Sequence, residues 1–162
     1  MSFTGELGFV KIVVMNLIEN KKAGLNYEWL ETYETGIELL GGEVKSLKGK
    51  QGSLEGARVI IRGGEAYLVG AFIPPYQPNN IIGDYEPYRT RRLLLKKKEL
   101  AELATRGEQR GLTIIPLSVY NKSRFLKVKI AVARGKKKFD KREALKKKES
   151  GRDIARDLKS SL

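Results

Sequence analysis

The sequence predicts a mainly β chain that ends in a basic tail, and three observations carry that expectation. Apolar and β-branched residues alternate with a period of two through several short segments. Two hairpin signals join such segments in pairs, and a sustained helical period occurs once in the body, between Arg89 and Arg106. About six antiparallel strands in a Greek-key barrel, with two to three helices, fit that string of elements.

Tyr27 to Leu40 is rich in aromatic and β-branched residues at a rough period of two, which predicts a long strand bent at Gly36. Gly41-Gly42 closes it, and Glu43 to Lys48 forms a short helical turn before the loop from Gly49 to Gly52. Ala57 to Arg62 alternates as a half-buried strand, Gly63-Gly64 is a two-residue hairpin signal, and Glu65 to Ile73 returns antiparallel. Pro74 and Pro75 stop that strand. Residues 74 to 88 then read as a long irregular loop, either a floppy connector or a binding segment.

From Arg89 to Arg106, Leu93, Leu94, Leu100, Leu103 and Ala104 fall on one helical face. Leu112 to Tyr120 and Phe125 to Ala133 form the second hairpin across Asn121 to Arg124, with Val128, Ile130 and Val132 inward and Lys127 and Lys129 outward. The sum suggests a partly open barrel of the oligonucleotide-binding type; an α+β sheet carrying one helix would give nearly the same string. The chain divides into an N-terminal extension over 1–19, the barrel over 20–134 and the tail over 135–162.

Charge narrows the function. The chain has 32 Lys and Arg against 19 Asp and Glu, a formal net charge of +13, and +7 of it lies in residues 134–162. A polyanion that releases counterions on binding suits such a segment, nucleic acid first and an anionic membrane surface second. No cysteine and no histidine are present, which removes disulfides, thiolate nucleophiles, serine triads and imidazole metal ligands. No apolar run approaches the ~20 residues that cross a bilayer. Lys11 interrupts the apolar segment Phe9 to Ile18, so no signal core is expected and the protein is read as soluble and cytoplasmic. Residues 1–14 are expected to be a dispensable or misassigned start ahead of Met15.

Three groups of residues could carry chemistry. Glu28, Glu34 and Glu38 share a strand face by parity, which permits a solvated face, a Mg²⁺ site or a hydrogen-bond acceptor for RNA. The Arg89-Thr-Arg-Arg92 knot sits where a helix is expected to begin; cations there oppose the helix dipole, so Arg89, Arg91 and Arg92 are expected to contact phosphate, with a merely solvated face as the alternative. In the tail, Gly135 lets the backbone turn, Lys136, Lys137 and Lys138 supply point charges, and Phe139 offers a face for base stacking. Asp140 there either orients Lys141 or Arg142 or accepts a bond from a 2′-hydroxyl, and the cluster alone reads equally as a generic basic extension. Ile154, Leu158 and Leu162 recur at helical spacing, but repulsion among Lys146, Lys147 and Lys148 predicts disorder alone and helix when bound. The glycine pairs match no phosphate-loop or dinucleotide fingerprint, and neither a metal nor a cofactor is expected.

Six segments in unbroken order resemble the SsrA-binding protein (SmpB) family: Asn20-Lys-Lys-Ala23, Glu31-Thr-Tyr-Glu-Thr-Gly-Ile37, Gly42-Glu-Val-Lys-Ser-Leu47, Arg89-Thr-Arg-Arg-Leu-Leu-Leu95, Gly111-Leu-Thr-Ile-Ile-Pro-Leu117 and Ala133-Arg-Gly-Lys-Lys-Lys-Phe-Asp-Lys-Arg142. The resemblance implies a non-enzymatic, monomeric partner of transfer-messenger RNA in ribosome rescue and peptide tagging. It also implies a barrel that binds the tRNA-like domain, and delivery aided by elongation factor Tu with GTP.

Carried over by position, the family's RNA contacts fall on Asn20, Glu34, Lys45, Leu94 and Lys127. Its decoding-centre residues fall on Gly135, Lys136, Lys137, Asp140, Lys141 and Arg142, and its messenger-channel helix on roughly 143–158, with Ile154 on the apolar stripe. The chain departs from the family pattern at Asp84-Tyr-Glu-Pro87, where His-Asp-Pro is common, and at Phe139, where Tyr or His is frequent. A generic ribosome-associated or single-stranded-RNA-binding barrel is the alternative, and a metal-dependent nuclease is disfavoured by the chemistry.

Overall fold

The computed structural model describes the backbone of residues 4–7, 10–80 and 83–160, and the side chains of 14–79, 83–138 and 140–160. Eight strands and four α-helices follow in the order β1 (Thr4–Leu7), β2 (Val10–Glu19), α1 (Ala23–Asn26), β3 (Tyr27–Ile37), α2 (Gly41–Lys48), β4 (Arg58–Arg62), β5 (Glu65–Val69), β6 (Arg91–Leu94), α3 (Lys97–Glu108), β7 (Leu112–Lys122), β8 (Phe125–Gly135) and α4 (Lys138–Ser160). Every pairing is antiparallel. The order runs β1-β2-β7-β4-β5-β6-β3-β8, and β8 pairs again with β7, so six strands follow one another back to the start.

Strand β7 makes this possible because its length lets two strands share one edge. Ile114 near its start pairs with Val59 of β4, while Ser118 to Lys122 pair with β2. Between them Pro116 brings no N–H to a ladder, and the register against β8 shifts between Pro116 and Ser118. Asn20 fills the gap: its side-chain amide donates to the Pro116 carbonyl at 3.0 Å and its backbone N–H to the Leu117 carbonyl at 2.7 Å.

The interior holds Val128, Ile130 and Val132 of β8, all fully buried, against Leu47, Leu54, Leu68, Leu93 and Leu103. The inward assignment from alternation therefore holds. The outward face of β8 is not all solvated, however. Ala131 and Ala133 lie beneath α1 with Ile115 and Leu117 in a second apolar cluster, and the Trp29 indole N–H closes that corner by donating to the Ala23 carbonyl at 3.3 Å.

Both hairpins form. Gly63 and Gly64 have φ of +60° and +74°, the positive pair that a two-residue turn of matching twist requires. The second hairpin is tighter than expected, with Lys122 opposite Phe125 and only Ser123 and Arg124 in the turn.

Two expectations are corrected. The single helix predicted from Arg89 to Arg106 is strand β6 followed by helix α3. Arg91 and Leu93 face the core at a period of two, while Arg92 and Leu94 face out, and β6 fills the slot between β5 and β3. The carboxylates Glu28 and Glu34 do not share a face, because a bulge between Trp29 and Glu31 inverts the alternation. The tail, expected to be disordered alone and helical when bound, forms a helix from Lys138 to Ser160, and its described residues beyond Leu145 are exposed. Residues 10–19, expected to carry no signal core, are strand β2. No described helix is long and apolar enough to cross a membrane.

Candidate nucleic-acid interface

Strands β6, β3, β8 and β7 lie side by side, and their register draws separate sequence segments into one exposed patch. Gly36 of β3 is opposite both Leu94 of β6 and Lys127 of β8, and Lys127 is opposite Tyr120 of β7. Two residues along, on the same face, Glu34 is opposite Lys129. Glycine at 36 lets β3 and β6 approach closely, since a Cβ there would meet the Leu94 Cβ at 3.2 Å, a tight contact. Leu94 stands half exposed beside it, an apolar side chain among lysines.

Glu34 is held from two sides. The Tyr120 hydroxyl donates to Oε2, and the Lys122 ammonium lies 2.9 Å from Oε1 and 3.3 Å from Oε2. Burial alone would raise the Glu34 pKa; the hydrogen bonds from Tyr120 and Lys122, with the charges of Lys122 and Lys127, outweigh it and hold the carboxyl below its ordinary value. Burial, followed by the same carboxylate, pushes the Tyr120 hydroxyl well above its ordinary value. Glu34 is therefore an ionised acceptor in a basic surface, able to receive N–H or O–H donors and to repel phosphate.

The other predicted contacts lie elsewhere. Asn20 lines a cleft of about 570 Å³ with Lys21, Lys22 and Lys50, where Lys22 pairs with Glu55. Lys45 is exposed on α2, its ammonium 5.5 Å from the centre of the Tyr76 ring.

The arginine knot divides into three environments. Arg91 is fully buried: its guanidinium bonds Glu43, the carbonyls of Ala71, Arg89 and Pro87, and the Tyr85 hydroxyl. That contradicts the expected phosphate contact, because a phosphate cannot reach a guanidinium enclosed in the core. Arg89 binds both oxygens of the same carboxylate, at 2.7 and 2.6 Å, and keeps about a third of its side chain exposed. Arg92 alone points to solvent, between Glu38 at 3.1 Å and Glu65 at 3.0 Å. These cations do not begin a helix, so the dipole argument for them does not apply.

Glu43 organises this region. It is 1% exposed and also accepts the Leu40 N–H at 2.8 Å, closing the N-terminus of α2. Burial works to raise its pKa, but Arg89, the Leu40 N–H and Arg91 together bring it down to about 2. The Tyr85 hydroxyl, part of the departure at 84–87, lies within hydrogen-bond reach of the Ile73 carbonyl at 2.8 Å and of Glu43 at 3.1 Å, its one proton going to either acceptor. The segment before β6 is thus pinned to α2, and its closing half is no floppy connector.

At the tail's root, Gly135 ends β8, and Lys136 turns back onto α1: its backbone N–H reaches the Asn26 carbonyl and its ammonium the Gly24 carbonyl, both at 2.8 Å. Lys137, Lys138, Asp140 and Arg142 are exposed and Lys141 is half-buried. The side chain of Phe139, with its expected stacking role, and all of Leu162 lie outside the described residues. Ile154 and Leu158 are exposed on one face of α4.

Sequence reasoning missed Tyr120 and Lys122. The hairpin register, which sets Tyr120 opposite Lys127, was the signal that could have found them. The Mg²⁺ reading loses its geometry: Glu28 is on the other face, and Glu34 and Glu38 are paired with Lys122 and Arg92. Among the described residues, no three acidic side chains converge to hold a metal ion.

The family model of the SmpB protein matches residues 17–160, most of the chain. The chain belongs to the SmpB family. The SsrA-binding protein of Elusimicrobium minutum is 48% identical over 143 residues, covering 88% of this chain and 90% of the relative. That of Nostoc punctiforme is 46% identical over 144 residues, covering 89% and 93%. A chain from the solved structure described as "tmRNA-SmpB: a journey to the center of the bacterial ribosome" matches with a TM-score of 0.64 at 42% identity, covering 79% of this chain and 93% of that one. The SmpB match takes in both the exposed patch and helix α4, and begins within β2.

Proposed function

We propose that this chain is a non-enzymatic RNA-binding factor that holds the tRNA-like domain of transfer-messenger RNA and brings it to stalled ribosomes for rescue and peptide tagging. The observation that carries the reading is the exposed patch in which Glu34, Leu94 and Lys127, from three separate segments, are neighbours across β3, β6 and β8. A cation for phosphate, an apolar platform for a base and an oriented acceptor are what an irregular, partly single-stranded RNA surface offers partners for. The six strands whose pairing returns to its start support an oligonucleotide-binding barrel as the finer description. The names of the relatives and of the solved structure support the partner.

Asn20, Lys45 and Arg92 extend the RNA surface, and Arg89 contributes its exposed edge. Gly135, Lys136, Lys137, Lys138, Phe139, Asp140, Lys141 and Arg142 engage the decoding centre, and the helix carrying Ile154 follows the vacant messenger channel, whose phosphates screen Lys146, Lys147 and Lys148. Elongation factor Tu with GTP acts through the RNA complex, the protein works as a cytoplasmic monomer, and no cofactor is needed.

Filter binding tests this reading. The tRNA-like domain should be preferred over an equally charged RNA duplex, and the preference should survive raised salt, where nonspecific binding fades. Equal affinity for the two would favour the generic single-stranded-RNA or ribosome-associated reading.

A further inference from the structure

Tyr120 is an aromatic residue in a basic RNA-facing surface, yet it is buried, with 6% of the residue exposed, and so offers little face for a base to stack on. Its hydroxyl, the polar end of a buried side chain, goes to a carboxylate that is itself 41% exposed. The partner's other side is taken by Lys122, at the same end of β7. A carboxylate offers about four acceptor sites, and the donors from Tyr120 and Lys122 leave room for a further one from solution.

We infer that Tyr120 is a positioning residue for RNA recognition: it fixes the Glu34 carboxylate so that its remaining acceptor sites meet a base N–H or a ribose 2′-hydroxyl. The inference rests on the RNA-binding reading of this face. Glu34 is flanked by Lys127 and Lys129 as well as Lys122, and a glutamate with rotatable side-chain bonds would collapse onto any of these cations. Tethered by the phenol of a buried residue on the same face of the sheet, the carboxylate instead keeps one orientation before RNA arrives, which lowers the ordering cost of binding. Lys127 and Lys129 remain available for phosphate. The face then separates two kinds of RNA group: phosphates are drawn to the lysines, and donor edges to the one fixed acceptor.

The experiment compares the wild-type full chain with Tyr120→Phe, Glu34→Gln, the double variant and Glu34→Asp. Binding is measured by filter retention on the tRNA-like domain and on a charge-matched RNA duplex, at two salt concentrations, with thermal melts alongside. Tyr120→Phe should weaken binding to the tRNA-like domain about tenfold, the scale of one charge-assisted hydrogen bond. It should leave duplex binding and the salt dependence unchanged, because no cation is removed.

In the Glu34→Gln background the same change should add little, since the group it positions is already gone. Glu34→Asp, exposed and charge-conserving, draws the carboxylate back from the phenol and should reproduce the loss even where Tyr120→Phe lowers the melting temperature. Unchanged binding by Tyr120→Phe and Glu34→Asp would overturn the inference, as would an undiminished loss in the Glu34→Gln background. Wild-type protein that does not prefer the tRNA-like domain would instead sink the parent reading, and this inference with it.

Discussion

Glu43 shows how much one side chain can hold in place. Its depressed pKa means that it contributes stability fully above its ordinary value of 4.5 and loses it as the pH falls toward about 2. Glu43→Gln should therefore cost about 3 kcal/mol at neutral pH, and the gap to wild type in urea unfolding should close between pH 4.5 and 2. An unchanged gap at pH 2 would mean that packing, not ionisation, sets the cost. Arg92 makes the opposite case at the surface. Its two exposed ion pairs predict that Arg92→Gln changes stability by less than about 1 kcal/mol, measured by the same unfolding, while a phosphate contact would lower the salt slope of RNA binding by about one. Adjacent arginines thus differ because alternation along β6 buries one and exposes the next. The charge of Arg91 suggests a surface residue, and nothing local names Glu43, 48 positions earlier, as the partner that makes its burial tolerable.

Among the elements, those whose signal is local were legible: the glycine hairpin, the alternating strands β4 and β8, and the helical period of α3. Strand β6 was not, because four residues next to a helix carry too few periods to separate 2 from 3.6, and its state is settled by β5 and β3 on either side. The patch was half legible: Glu34, Leu94 and Lys127 follow from resemblance, whereas Tyr120 becomes visible only once β7 and β8 are in register. Helix α4 was legible as an apolar stripe with opposing charge, and Gly151 lies inside it. A glycine in a solvated helix costs about 1 kcal/mol relative to alanine. Gly151→Ala should accordingly raise helical signal in the far-ultraviolet dichroism of the full chain and slow its loss on warming. No change would indicate that packing at the root of α4, where Lys136 is bonded to α1, governs the helix instead.

At the scale of the whole molecule, charge and core are distributed differently. Deleting residues 140–162 removes a net +3 and leaves +10 on the body. The described residues lost are almost all exposed, so little apolar area leaves the folded state and the melting temperature should move little. The exposed patch, the cleft beside Asn20 and the pinned segment before β6 all stay. Affinity for the tRNA-like domain should therefore remain within a few-fold of wild type in filter binding, with a slightly shallower salt dependence, since the deleted cations contribute only long-range attraction. Peptide tagging of stalled ribosomes should instead be abolished, because Asp140, Lys141, Arg142 and the Ile154 face go with the deletion. Loss of RNA affinity and tagging together would mean that α4 belongs to the same binding surface as the sheet. Retention of tagging would deny the tail its place in the decoding centre. The two readouts come apart only if the body holds the RNA and the tail reads the ribosome, a division that fits a tail fastened to the body chiefly through Lys136 and α1.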